Sequence, residues 1–130
     1  MANANEDLVR QGYQAFGEGD METLRSLFAA DAVHVATGNN PLSGEYNGID
    51  AILGYYGKLF ELSDGTFTAE LETMKVEGDD SVVATHRNKA KRGDKTLDQD
   101  ETLTFTISGG KFTRLVESRS DQAAYDAFWS

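Results

Sequence analysis

The sequence predicts an α+β protein, with its helices first and an antiparallel sheet after them. Two observations carry this. Up to Gly65 the apolar residues recur mostly at helical spacing, and after Gly65 they alternate with polar ones over long runs separated by glycine turns. Helices segregated from an antiparallel sheet define the class. The length, 130 residues, favours one domain over 1–130, large enough to bury a core without disulfide or metal.

Asn5-Glu6 opens a helix whose Val9, Tyr13 and Phe16 fall at i, i+4 and i+7, and Gly17-Glu18-Gly19 ends it. Asp20 suits the N-cap of a second helix with Leu24, Leu27 and Phe28 on one face. Val33-His34-Val35 reads as a short strand, Gly38–Pro41 as a turn, and Gly44–Gly48 as a brief extended piece. Ile49, Ile52, Leu53, Tyr56, Leu59 and Phe60 give the clearest helical period, closed by Ser63-Asp64-Gly65. Four strands follow, Thr66–Val76, Ser81–Lys91, Thr96–Ser108 and Lys111–Arg119, with turns at Gly78-Asp79-Asp80, Arg92-Gly93-Asp94 and Gly109-Gly110. Ser120 or Asp121 caps a short last helix bearing Ala124, Tyr125, Phe128 and Trp129. A curved sheet wrapped over one long helix leaves a cavity between them, a preferred place for a small ligand.

Composition narrows the function. The formal charge is −10, from 12 basic and 22 acidic side chains. Such a chain repels phosphate backbones, so no nucleic-acid partner is expected. The cations of Arg87–Arg92 precede Asp94, Asp98, Asp100 and Glu101, a pattern suited to cross-strand pairing on a solvated face. Cysteine is absent, which excludes thiol nucleophiles and Cys-based zinc sites. The N-terminus lacks the basic and apolar regions of a signal peptide, and no apolar run would span a membrane. A cytoplasmic location is the expectation.

Several runs resemble the SnoaL-like proteins of the superfamily that includes nuclear transport factor 2 and ketosteroid isomerase. They are Tyr13–Asp20, Leu27–Asp31, Pro41–Gly48, Val83–Arg87 with Lys91-Arg92-Gly93 and Thr96-Leu97-Asp98, and Asp121–Trp129. The resemblance spans nearly the whole chain. It implies a cone-shaped roll of curved antiparallel sheet around a long helix, a homodimer packed through the sheet, and no metal or cofactor. Relatives include isomerases, polyketide cyclases, dehydratases, epoxide hydrolases and binding proteins, so the fold leaves the reaction open.

Tyr13 matches the place of the isomerase's oxyanion-binding tyrosine, where a phenol donates to a carbonyl as charge develops; a core tyrosine is the plainer reading. The isomerase's base position is occupied by Ala36. His34, two residues earlier, shares its side of the strand and can serve as acid or base. Many SnoaL-like sequences carry Trp-His here where this one has His34-Val35. Glu101 shares parity with Leu103, Phe105 and Ile107 and falls near the isomerase's protonated acid. The cyclases' late-strand carboxylate corresponds to Glu117 or Asp121, although Asp121 also suits a helix cap. The catalytic candidates are therefore Tyr13, His34, Glu101 and Glu117. Tyr55, Tyr56, Phe60, Met74, His86, Asn88, Gln99, Phe105, Asp121 and Trp129 are candidate ligand contacts. His86 and Asn88 share the parity of Val82 and Ala84; the rival place for them is a dimer interface.

The expected function is binding a small, largely apolar molecule and transforming it by cofactor-independent acid–base chemistry. The alternatives are a carrier or sensor without catalysis and a dimeric interaction domain. Catalysis requires two pocket groups converging on one substrate atom.

Overall fold

The computed structural model describes residues 3–130. Helix α1 (Ala4–Glu18) starts where the Asn3 side chain accepts from the Asn5 and Glu6 amides. It stops at Gly19, whose φ of 69° is left-handed, the usual glycine stop. Asp20 caps α2 (Met21–Leu27) by accepting from the Thr23 amide.

Phe28 departs from expectation. It leaves the helix and becomes the first residue of β1 (Phe28–Ala36). The reason is non-local. Phe28 pairs with Phe112 across the sheet, with ring centroids 5.1 Å apart. Strand β2 (Gly44–Asn47) folds back on β1, and α3 (Ile49–Leu62) follows. Ile52, Tyr55, Tyr56 and Leu59 form the buried face of α3.

Strands β3 (Thr68–Glu77), β4 (Ser81–Arg92), β5 (Lys95–Ser108) and β6 (Lys111–Ser118) make the expected antiparallel meander. The complete sheet is six-stranded in the order β2-β1-β6-β5-β4-β3. It is mixed rather than wholly antiparallel, because β1 runs parallel to β6. The parallel pair needs a long crossover, here everything from β2 through β5. Helix α1 packs on β3 and β4, and α3 on β1 and β2.

Strict alternation puts Val82, Ala84, His86, Asn88 and Ala90 of β4 inside, together with Glu101, Leu103, Phe105 and Ile107 of β5. On the outer face Arg87 pairs with Asp98 at 2.8 Å and Asp100 at 3.2 Å, as the charge pattern suggested. Glu101 takes no part in that pairing and faces inward. Arg92 has a different task. It donates to the Phe128 carbonyl at the end of α4 (Gln122–Trp129), and Lys95 donates to those of Ala127 and Ser130. Cations at a helix C-terminus offset its dipole and hold α4 over the sheet. Among the described residues no helix is long and apolar enough to cross a membrane.

Candidate active site

A cavity of about 70 Å³ lies between the four helices and the sheet. That is room for several waters or one small molecule. Its walls are largely apolar, with Phe16, Leu24, Phe28, Leu59, Leu103 and Phe105 among them. Ala69 and Phe16, both half-buried, are among the least enclosed of its lining residues.

The polar groups of the cavity come from three directions. His34 projects from β1 and Glu117 from β6. The parallel register sets His34 beside Leu115, two residues before Glu117 on the same strand. His34 Nε2 lies 2.7 Å from Glu117 Oε2, and its Nδ1 lies 2.9 Å from the Tyr56 hydroxyl. Tyr55, the next residue on α3, donates to Glu117 Oε2 at 2.6 Å. His86 and Glu101 are direct cross-strand partners on β4 and β5, with His86 Nε2 2.8 Å from Glu101 Oε2. Asn88 adds a bond to that oxygen at 2.8 Å. The Tyr13 hydroxyl from α1 reaches His86 Nδ1 at 2.5 Å.

Arg119 joins the two halves. Thr102 pairs with Ser118, so one more step places Arg119 opposite Glu101. Its guanidinium donates to Glu101 and, at 2.8 Å, to Glu117. It also stacks on Tyr125, 3.5 Å from the ring centroid. The side chain is wholly buried (0% exposed) yet does not line the cavity. It sits behind the carboxylates and fixes them.

The electrostatics follow from this packing. Burial alone would raise the Glu101 pKa. The His86 bond, the Arg119 charge and the Asn88 amide overcome it and hold the group at about 2. Arg119 is itself held above its ordinary value: burial disfavours the cation, but the two carboxylates outweigh it. Tyr13, Tyr55, Tyr56 and Tyr125 are all pushed well above the usual phenol range, first by burial and then by the neighbouring carboxylates. All four are therefore held as neutral phenols.

Of the residues proposed from sequence, Tyr13, His34, Glu101, Glu117, Tyr55, Tyr56, His86 and Phe105 line this cavity. Phe60, Met74, Asn88, Gln99, Asp121 and Trp129 do not. Asn88 is buried behind Glu101. Asp121 caps α4 by accepting from the Ala124 amide. Trp129 packs in the core against Phe67 and Phe128, and Met74 and Phe60 are half-buried at its edge. His34 is held by the side chains of Tyr56 and Glu117, and His86 is buried on the inner face of the sheet.

Sequence reasoning missed Arg119 and Tyr125. The signal for Arg119 was its position two residues after Glu117, on the same side of the strand. Both ring nitrogens of each histidine are already engaged. Among the described residues no group of three or more His, Cys, Asp or Glu stands in metal-binding geometry.

Comparison with known proteins agrees with this architecture. An uncharacterized protein of Mycobacterium tuberculosis is 38% identical over 128 residues, 98% of each chain. The structure of Bal32a, from a soil-derived mobile gene cassette, superposes with a TM-score of 0.95 at 35% identity, covering 98% of this chain and 97% of that one. TerC, co-crystallized with polyporic acid, shares the fold at a TM-score of 0.84 and 20% identity, over 98% and 100% of the two chains. The SnoaL-like domain model matches residues 9–115, and the chain belongs to that family.

Proposed function

We propose that the cavity binds a small, largely apolar carbonyl compound and moves protons on it without a cofactor. The observation that carries this reading is the convergence of two histidine–carboxylate pairs on one apolar cavity, tied together by a buried arginine. Buried ionisable groups are costly and are kept where they are paired or used. A carrier needs the apolar walls but not this convergence, and an interaction domain needs neither. TerC, which shares the fold, was crystallized with polyporic acid, which supports a small organic ligand for this cavity.

The test is exchange of the α-hydrogens of cyclohexanone in D2O, followed by NMR. The protein is expected to accelerate exchange, and the Glu101→Gln/Glu117→Gln double variant, which removes both histidine–carboxylate pairs, to lose about 10²–10⁴-fold of that acceleration, the range of general acid–base catalysis. Ala69→Phe, which fills the less enclosed part of the cavity, is expected to abolish both exchange and saturable binding. Saturable binding without exchange would favour the carrier.

The second part of the proposal is a homodimer through the outer face of the sheet. Val83, Thr85, Thr102, Thr104 and Val116 form an uncharged, half-buried patch there. Sedimentation equilibrium is expected to give twice the chain mass, with Thr104→Arg giving the monomer. A wild-type monomer at tens of micromolar would refute it.

A further inference from the structure

The bonding around the two glutamates leaves little of either carboxylate open to the cavity. Arg119 holds Oε1 of both. Oε2 of Glu101 accepts from His86 and Asn88, and Oε2 of Glu117 from His34 and Tyr55. Each imidazole therefore donates through Nε2, and in its neutral form its Nδ1 is an acceptor. In both cases the partner at Nδ1 is a phenol, Tyr13 for His86 and Tyr56 for His34. The same chain thus occurs twice, Tyr13–His86–Glu101 and Tyr56–His34–Glu117, back to back on Arg119.

We propose that the phenol oxygens of Tyr13 and Tyr56, rather than the carboxylates, exchange protons with the bound molecule, each phenol handing its proton to its own histidine. This rests on the acid–base reading above and names the atoms that carry it out. The C–H bond of the bound carbonyl compound breaks, and its proton bonds to the tyrosine Oη. The O–H bond already on that oxygen breaks, and its proton moves to Nδ1. The electron pair stays on the bound molecule as the enolate. Tyrosine ends neutral, as it began, and the new imidazolium faces its glutamate.

Two physical features favour this route over direct attack. Burial beside carboxylates makes a free tyrosinate costly, and a pass-through never forms one. The second is charge. Two carboxylates against one guanidinium leave the network one negative charge when both imidazoles are neutral. One proton gained from the bound molecule brings the buried network from one negative charge to neutrality, so the transfer leaves no added charge in the network. Asn88 and Arg119 act through the glutamates and are positioning residues.

Long-range ¹H–¹⁵N NMR of the ligand-free protein reads the relays without turnover. Both imidazoles are expected as the Nε2–H tautomer with Nδ1 accepting. Tyr13→Phe is expected to shift only the Nδ1 signal of His86, and Tyr56→Phe only that of His34. An Nδ1–H tautomer at either imidazole overturns that relay, because its phenol would then be an acceptor. In the cyclohexanone assay the Tyr13→Phe/Tyr56→Phe double variant is expected to lose about 10²-fold or more of the exchange rate. A double variant with the wild-type rate overturns the proposal. Wild-type protein without exchange overturns the acid–base reading and the relay with it; a wrong tautomer in a protein that does catalyse exchange overturns the relay alone.

Discussion

Arg119→Met is expected to cost about 3–5 kcal/mol of folding stability, the range seen when one partner of a buried ion pair is removed. Methionine roughly fills the space but leaves Glu101 and Glu117 facing each other without a cation. Both carboxylates are buried, at 5% and 4% exposure, so water cannot replace the lost charge. The Tyr125 ring also loses the guanidinium stacked upon it. Urea unfolding followed by circular dichroism measures the effect as a lower midpoint at unchanged slope. Combining Arg119→Met with Glu101→Gln is expected to recover part of the loss, since one uncompensated charge disappears with the glutamate. Arg119→Lys is expected to fall between, because an ammonium lacks the planar fork that serves two carboxylates together. A loss below about 1 kcal/mol, the worth of an exposed pair, would mean that the carboxylates are not held as described.

The second large effect is the acid dependence set by Glu101. Its folded pKa of about 2 lies below the ordinary 4.5 of a glutamate. The unfolded chain therefore binds the proton more tightly than the native one. The stability due to this group is fully present above pH 4.5 and is lost as the pH falls from 4.5 through about 2. The difference corresponds to about 3 kcal/mol at neutral pH. Glu101→Gln keeps the shape and removes the titration. Urea midpoints across pH 2–7 should therefore fall more steeply in the wild-type protein than in the variant. Parallel curves would show that Glu101 is not held ionised by His86, Arg119 and Asn88. Other carboxylates titrate in the same window, among them Asp20 and Asp126, whose pKa values are also lowered. The comparison with the variant removes their contribution.

The local rules explain much of this protein from the chain alone. Helical period, glycine stops and capping side chains place α1 through α4 within a few residues, because each depends on neighbours in sequence. Alternation along β4 and β5 puts His86 and Glu101 on the inner face, and the helical spacing puts Tyr13 and Tyr56 on the apolar faces of α1 and α3. Alternation assigns a side, however, and not a partner. That His34 meets Glu117 depends on β1 lying parallel to β6, two strands far apart in the chain. Phe28 changes from helix to strand for the same reason, since its partner Phe112 is a long-range one.

Arg119 is the clearest case of what only the tertiary structure decided. An arginine at the end of a strand reads as a surface residue, because a lone cation is rarely buried. Its burial becomes favourable only when Glu101 and Glu117, from different strands, converge on it and Tyr125 covers its face. The sequence by itself determined the class of fold and which faces look inward, since those follow from short-range periodicity. The tertiary structure alone determined that two tyrosine–histidine–glutamate chains meet at one arginine, since that depends on strand order and on charges that are stable inside only in each other's company.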